Sequence, residues 1–189
     1  VNGLSVEQTL ASSGPDTVSL VFAFPDASDA PKYYRLDPSA HAGIELGEGL
    51  RWSAPGVIEI PAQLREAQSI FGETGGIHAA ATVAVAPSGA LSITVVREDV
   101  GRHNAVDKLI GEAALRLALP LSGALLLLSG RCSFELVQKA AAAGYGAIAC
   151  VGAPSSLAVE TAERLGICLI GFLREGSFNA YTQFDVVQR

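Results

Sequence analysis

From Thr82 onward the apolar and polar positions of the chain fall into short, well-marked blocks. "TVAVAPSGALSITVVRE" holds two β-rich runs around Pro87-Ser88-Gly89, which predicts a hairpin. "NAVDKLIGEAALRLAL" follows, with Val106, Leu109, Ile110, Ala113 and Leu117 on one stripe, the spacing of an amphipathic helix. "GALLLLSG" from Gly123, "AIACVGAP" from Ala147 and "ICLIGFL" from Ile167 are apolar runs of the kind that strands buried on both faces carry. Between them lie two helical segments, "SFELVQKAAAAG", ending at Gly144, and "SSLAVETAERLG", with Ser at its start and Gly at its end. The tail "FNAYTQFDVV" adds an edge strand. Strand–helix–strand–helix–strand implies an α/β fold with a mostly parallel core sheet, which the antiparallel hairpin joins.

The first seventy residues are less regular. "DTVSLVFAF" (16–24) reads as a strand, "PDASDAP" as a turn-rich break and "SAHAGIELGEGLRWSAPG" as a Gly-rich loop. "AQLREAQSIFG" has helical spacing, with Leu64, Ala67, Ile70 and Phe71 on one side.

Composition narrows the classes. Of 189 residues 49% are hydrophobic and 17% charged, which is enough to fill a folded core. A net charge of −6 argues against nucleic-acid binding by charge alone. No apolar run is long enough to cross a bilayer, and no signal-peptide pattern opens the chain. Three scattered cysteines suit a reducing cytoplasm better than a disulfide framework. The apolar balance is compatible with a homodimer.

In parallel sheets ligands sit beyond the carboxyl ends of the strands. Three such ends carry polar loops here: Ser129 to Ser133, Pro154 to Ser156, and Arg174 to Ser177. Two lead into helices through Ser, whose free N–H groups favour an anion that Arg131 and Arg174 could pair. The simpler reading is that Ser133, Ser155 and Ser156 are helix caps.

"REDVGRHNAVDKLIG" (97–111) is denser in polar groups than a surface helix needs, with two Arg, one Lys, two Asp, one Glu, one His and one Asn. Asp99 to Arg102 reads as a turn and His103 as the helix start. Asn104, Asp107 and Lys108 fall away from the apolar stripe, either as a solvated face or as part of a functional turn. In "GETGGIHAAA", Thr74, Gly75 and Gly76 would let backbone N–H groups approach a ligand. A helix starting right after them would put His78, structural or functional, in its first turn.

"FGETGGIHAAA", "REDVGRHNAVDKLIG", "SGRCSFELVQKAA" and "APSSLAVETAERLGICLIGFLREGSFNAYT" together resemble the formate dehydrogenase accessory sulfurtransferases, the FdhD family. The resemblance implies a cytidine-deaminase-like fold, a three-layer α/β/α sandwich. The chain is read as an N-terminal β-rich lobe (1–60) followed by a cytidine-deaminase-like cofactor-binding domain (61–189). The resemblance also implies a cytoplasmic sulfur carrier that takes sulfur from a cysteine desulfurase as a persulfide. The carrier would pass this sulfur to the molybdenum bis(molybdopterin guanine dinucleotide) cofactor before its insertion into formate dehydrogenase. The family's cofactor-contacting loop corresponds to Phe172, Leu173, Arg174, Glu175, Gly176 and Ser177. With Thr74, Gly75, Gly76, His78, Asp99, Arg102, His103, Asn104, Asp107, Lys108 and Arg131, these residues make up the expected cofactor site. A guanine edge wants a carboxylate for its N1–H and N2–H, which Asp99 or Asp107 could supply. Its phosphates want cations, which Arg102, Lys108, Arg131 or Arg174 could supply.

One feature departs from the family. The C-x-x-C pair on which the family's persulfide forms corresponds to "HAGIELGEGLRW", which has no cysteine; either the pair is lost or it lies in residues outside this sequence, as the absence of any Met suggests, and in the second case the chain is a sulfurtransferase. Cys132 is the cysteine nearest a predicted site edge, before a helix that could lower its pKa; it reads otherwise as a small loop residue. Cys150 and Cys168 read as core. A second class is therefore a module that holds or delivers the cofactor without sulfur chemistry. A zinc deaminase needs H-x-E or C-x-E with P-C-x-x-C; His78-Ala79-Ala80 lacks the Glu, so no zinc is expected.

Overall fold

The computed structural model describes residues 18–21, 33–36, 52–85, 90–183 and 187–188. The chain divides into two units, Val1–Gly43 and Ile44–Arg189. In the first, β1 (Val18–Val21) pairs antiparallel with β2 (Tyr33–Leu36), and β1 lies inside the strand expected at 16–24. The break at 25–31 and the hairpin turn Pro87-Ser88-Gly89 lie outside the described residues.

The second unit holds most of the chain. β3 (Trp52–Ser53) pairs with β10 (Val187–Gln188), and α1 (Ala54–Ala67) follows β3 directly. The Gly-rich stretch read as loop through Gly56 is thus helical from Ala54. Helical spacing continues past Ala67, but the backbone of Gln68 is extended (φ −83°, ψ 93°) and separates α1 from the short α2 (Ser69–Thr74). The break turns Ile70 out to 44% exposure, off the stripe expected for it. The apolar side of α1 is Val57, Ile60 and Leu64, all buried. Val57 and Ile60, expected in the N-terminal lobe, therefore belong to the core of the second unit.

β4 (His78–Val85) and β5 (Leu91–Asp99) form the expected hairpin. α3 (Arg102–Leu115), β6 (Leu125–Leu128), α4 (Phe134–Ala143), β7 (Ala147–Cys150), α5 (Ser156–Arg164), β8 (Cys168–Arg174) and the edge strand β9 (Ser177–Thr182) follow. α4 stops at Gly144 in the left-handed conformation, as its sequence predicts. α3 is shorter than its pattern. It ends at Leu115, so Leu117 (φ 55°) lies beyond the stripe and is 88% exposed.

The six strands stand in the order β5-β4-β6-β7-β8-β9. β6–β7 and β7–β8 are parallel, whereas β5–β4, β4–β6 and β8–β9 are antiparallel. The sheet is mixed, and "mostly parallel" holds only for its three central strands. Successive side chains of a strand point to opposite faces. On one face Ala79, Ala81, Val83, Leu125, Leu127, Ala147, Ala149, Cys168 and Ile170 cluster with Val57, Ile60 and Leu64 of α1. The alternate residues Ala80, Thr82, Leu126, Leu128, Ile148 and Leu169 are also buried. There Thr82 Oγ1 meets the Tyr145 hydroxyl at 2.6 Å, just past α4. Burial on both faces explains the unbroken apolar runs.

Leu127 sits mid-sheet in the α1-side cluster with no exposed surface. Leu127→Ala is expected to destabilise the fold by roughly 2–5 kcal/mol. Urea unfolding checks this as a lower midpoint at unchanged slope.

Candidate functional site

Backbone register gathers the candidate residues. Leu128, the last residue of β6, stands opposite Ala80 of β4 and beside Cys150 of β7. β4 runs the opposite way, so its first residue, His78, lies at the carboxyl edge of the central strands, opposite Asp99 of β5. Beyond that edge the loops are tied together. The Ala79 N–H donates to Ser129 Oγ (2.8 Å), Gly152 N–H to the Gly130 carbonyl (3.0 Å) and Phe172 N–H to the Gly152 carbonyl (3.0 Å). Cys132 N–H donates to Ala153 O (3.2 Å) and Ser155 N–H to Cys132 O (3.0 Å). A Cβ on Gly130 would lie 3.2 Å from His78 Nδ1, so glycine lets the imidazole rest against this backbone. The three loops expected on one edge do share it.

The third loop is a hairpin rather than a strand-to-helix turn: Arg174 faces Ser177 across Glu175 and Gly176. Arg174, Glu175, Gly176 and Ser177 are exposed, whereas the Leu173 side chain is fully buried. Phe172 is held at φ 51°, an uncommon conformation for a residue with a side chain, and is 36% exposed at the rim. Of the three serines, Ser155 caps α5 by accepting Ala158 N–H at 3.1 Å. Ser156 is the first residue of that helix, and Ser133 Oγ instead meets His103 Nε2 at 3.1 Å.

Much of the polar turn is committed to internal partners. Arg97 pairs with Glu112. Glu98 accepts the N–H groups of Ile70 and Phe71, both at 3.1 Å, and so pins the start of α2 to β5. Asp99 takes the Lys108 ammonium at 2.6 Å, Gly101 N–H at 2.8 Å and the exposed Asn104 amide at 3.1 Å. Asp107 binds Lys139 of α4 at 2.6 Å. Asp99 and Asp107, the two candidates for a guanine edge, thus both carry internal partners. Arg102 differs, because its Nε is buried with no partner among the described residues.

The glycine turn also departs from expectation. Gly75 ends α2 in the left-handed region (φ 64°), and His78 opens strand β4 rather than a helix. This turn closes one side of a cavity of about 400 Å³ between α1, α2 and the strand ends, whose lining includes Arg65, Gln68, His78 and Ser129. Arg65 and Gln68 escape the sequence reading. Gln68 continues the 57-60-64 spacing of the apolar stripe, and a polar residue in such a stripe is the signal that could have marked it.

Arg65, Arg102, Arg131 and Arg174 all stand around this edge, and none makes an ion pair among the described residues. The thiols do not suit nucleophilic work. Burial pushes Cys132 far up, opposite to the lowering expected from its place before a helix, and raises Cys150 and Cys168 to about 12.

The model of the FdhD/NarQ family matches residues 33–188. The sulfur carrier protein FdhD of Mycolicibacterium paratuberculosis is 55% identical over 126 residues, 67% of this chain and 45% of that protein. The sulfur carrier protein FdhD of Sulfurisphaera tokodaii is 48% identical over 131 residues, 69% of this chain and 50% of that protein. The matched stretch thus spans half or less of either relative. A solved structure from Desulfotalea psychrophila, described as that of a formate dehydrogenase accessory protein, shares the fold. Its TM-score is 0.66 at 22% identity, over 89% of this chain and 69% of that one. Among the described residues no helix is long and apolar enough to cross a membrane.

Electrostatics at the turn are directional. The hydrogen bond from Lys108 holds the Asp99 carboxyl below its ordinary value of 3.8, and burial with the neighbouring Arg102 and Lys139 cations holds His103 below 6.5. A carboxyl with a lowered folded pKa stabilises the fold above its unfolded value, and the contribution is lost as pH falls through the folded value. Asp99→Asn is expected to cost about 1 kcal/mol at pH 7. That difference should shrink below about pH 4 in acid–urea titrations; a pH-independent difference would assign the cost to packing.

Proposed function

The chain belongs to the FdhD/NarQ family, and on that premise we propose that it is an accessory protein of formate dehydrogenase. Its cargo is the molybdenum bis(molybdopterin guanine dinucleotide) cofactor, held at the carboxyl edge of the sheet for sulfuration. The observation that carries the reading is charge. In a chain of net charge −6, four arginines around one edge make no ion pair among the described residues, and one of them has a buried Nε without a partner among them. Such groups fit the phosphates of a dinucleotide, which guanidinium binds bidentately. Backbone N–H groups where the loops enter α4 and α5 add to that field.

The fold is read as the three-layer α/β/α sandwich of cytidine-deaminase type, with α1 on one face of the sheet and α3 to α5 on the other. In this reading Arg131 and Arg174 hold phosphate and Phe172 presents its ring to the ligand. Asp99, Asp107 and Lys108 brace the turn that positions Arg102. The partners are a cysteine desulfurase, which supplies the sulfur, and formate dehydrogenase, which receives the cofactor, in the cytoplasm and with the chain as a homodimer. A second reading, a module that holds and delivers the cofactor without carrying sulfur, is favoured by the cysteines. All three are buried and hard to ionise, and a persulfide carrier must present a thiolate. Both readings share the nucleotide site.

GDP is the probe. Arg174→Ala is expected to weaken GDP binding about tenfold in calorimetric titration, the loss of one charge-assisted contact. Unchanged affinity would remove this loop from the site.

A further inference from the structure

We propose that α2 is a hinged lid over the cavity beneath α1, and that Glu98 of β5 is the latch that holds it shut. The inference stands on the build of this one segment and needs no particular ligand, so it is separable from the nucleotide reading.

The flanks of α2 are anchored and α2 itself is not. On one side α1 buries Val57, Ile60 and Leu64, and on the other β4 buries Ala79, Ala80 and Ala81. None of the six residues of α2 is buried. Ile70 is 44% exposed, and Phe71 is only half-buried. A helix this short is marginal by itself and depends on outside contacts. Both of its ends are places where the backbone can swing. Gln68 is extended before it, and Gly75 ends it at φ 64°, a conformation that glycine takes without strain. A Cβ built on Gly72 or Gly75 would meet no atom within 4 Å, so the segment has open space on those sides.

What holds α2 down is narrow. Ile70 N–H donates to Glu98 Oε2 and Phe71 N–H to Glu98 Oε1, both at 3.1 Å, and the Ser69 hydroxyl stands 3.5 Å from Oε2. Among the described residues, every hydrogen bond from α2 to another helix or strand ends on this carboxylate. The latch is fixed to the sheet, because Glu98 stands opposite Ala79 of β4 and its carbonyl accepts the Lys108 ammonium at 3.0 Å. Bonds to a charged acceptor are strong, yet rotation of one side chain releases both backbone groups together. The Arg65 guanidinium, 6.0 Å from the centre of the Phe71 ring, adds a weaker contact.

The place of α2 decides what it covers. Phe71, Gly75 and Gly76 line the cavity of about 400 Å³ together with His78 and Ser129. A swing about Gln68 and Gly75 carries Phe71 away and opens that wall. Segments with few buried contacts open locally while the core stays closed, and such openings gate access to a site.

Amide hydrogen exchange of the purified protein tests the hinge, and carbethoxylation of His78 by diethyl pyrocarbonate tests the opening, with His103 as the reference. Amides from Ile70 to Gly75 are expected to exchange about tenfold or more faster than those of Val57 to Leu64 and Ala79 to Val83. Glu98→Ala should speed exchange of the α2 amides by a further factor of about ten and raise the rate of His78 modification, with α1, β4 and His103 unchanged. Glu98→Gln keeps one acceptor oxygen and should fall between the two. Protection of α2 equal to that of α1, or α2 exchange that ignores Glu98→Ala, would overturn the proposal. Faster exchange spread equally over α1 and β4 would also overturn it, since Glu98 would then brace the whole unit. Faster exchange of α2 with His78 no more reactive would mean that α2 does not close the cavity, and would overturn it as well.

Discussion

The antiparallel placement of β4 between β5 and β6 is the constraint on which the site depends. Ala80 faces Arg97 on one side and Leu128 on the other. That register brings the start of β4 and the end of β5 to the edge where the parallel strands end. Because side chains alternate, a slip of one residue would move Ala79 and Ala81 out of the α1-side core and carry His78 away from Gly130. The buried chains on both faces make such a slip costly, so the packing that fixes the fold also fixes the edge.

On this frame the charged residues divide into two groups. Arg97, Lys108, Arg116 and Lys139 are spent on Glu112, Asp99 and Asp107; Arg97 and Lys108 tie α3 to β5, Lys139 ties α4 to α3, and Arg116 closes on Glu112 at the end of α3. Glu98 ties α2 to β5 in the same way, with carboxylate oxygens on two backbone N–H groups. The second group, Arg65, Arg102, Arg131 and Arg174, has no such partner among the described residues. The first group braces the edge, and the second leaves four guanidinium groups there without an ion pair among the described residues. Groups of that kind attract an anionic ligand, more strongly where water is partly excluded.

The core was legible because its strands are buried on both faces: "LLLL" and "AIAC" allow little else. Caps were legible where one residue has one job, as at Gly144 and Ser155. The break at Gln68 was not, since helical spacing runs straight through it and the extended backbone there has no turn residue to mark it. Leu117 misled for the opposite reason: it keeps the period of a helix that has already ended. The density of "REDVGRHNAVDKLIG" was plain in the sequence, but its meaning was not. Partners such as Lys139 and Ile70 lie about thirty residues away, so bracing and binding look alike until the chain is folded.

The central proposal is that the carboxyl edge of the central strands holds a guanine nucleotide. The most direct measurement is a titration of the isotope-labelled protein with GDP, followed through its backbone amide resonances. The account predicts shifts concentrated at Gly75 to His78, Ser129 to Ser133, Val151 to Ser155 and Phe172 to Ser177. Shifts confined to the free edge of β5 or the far end of α3, or none at saturating GDP, would contradict it.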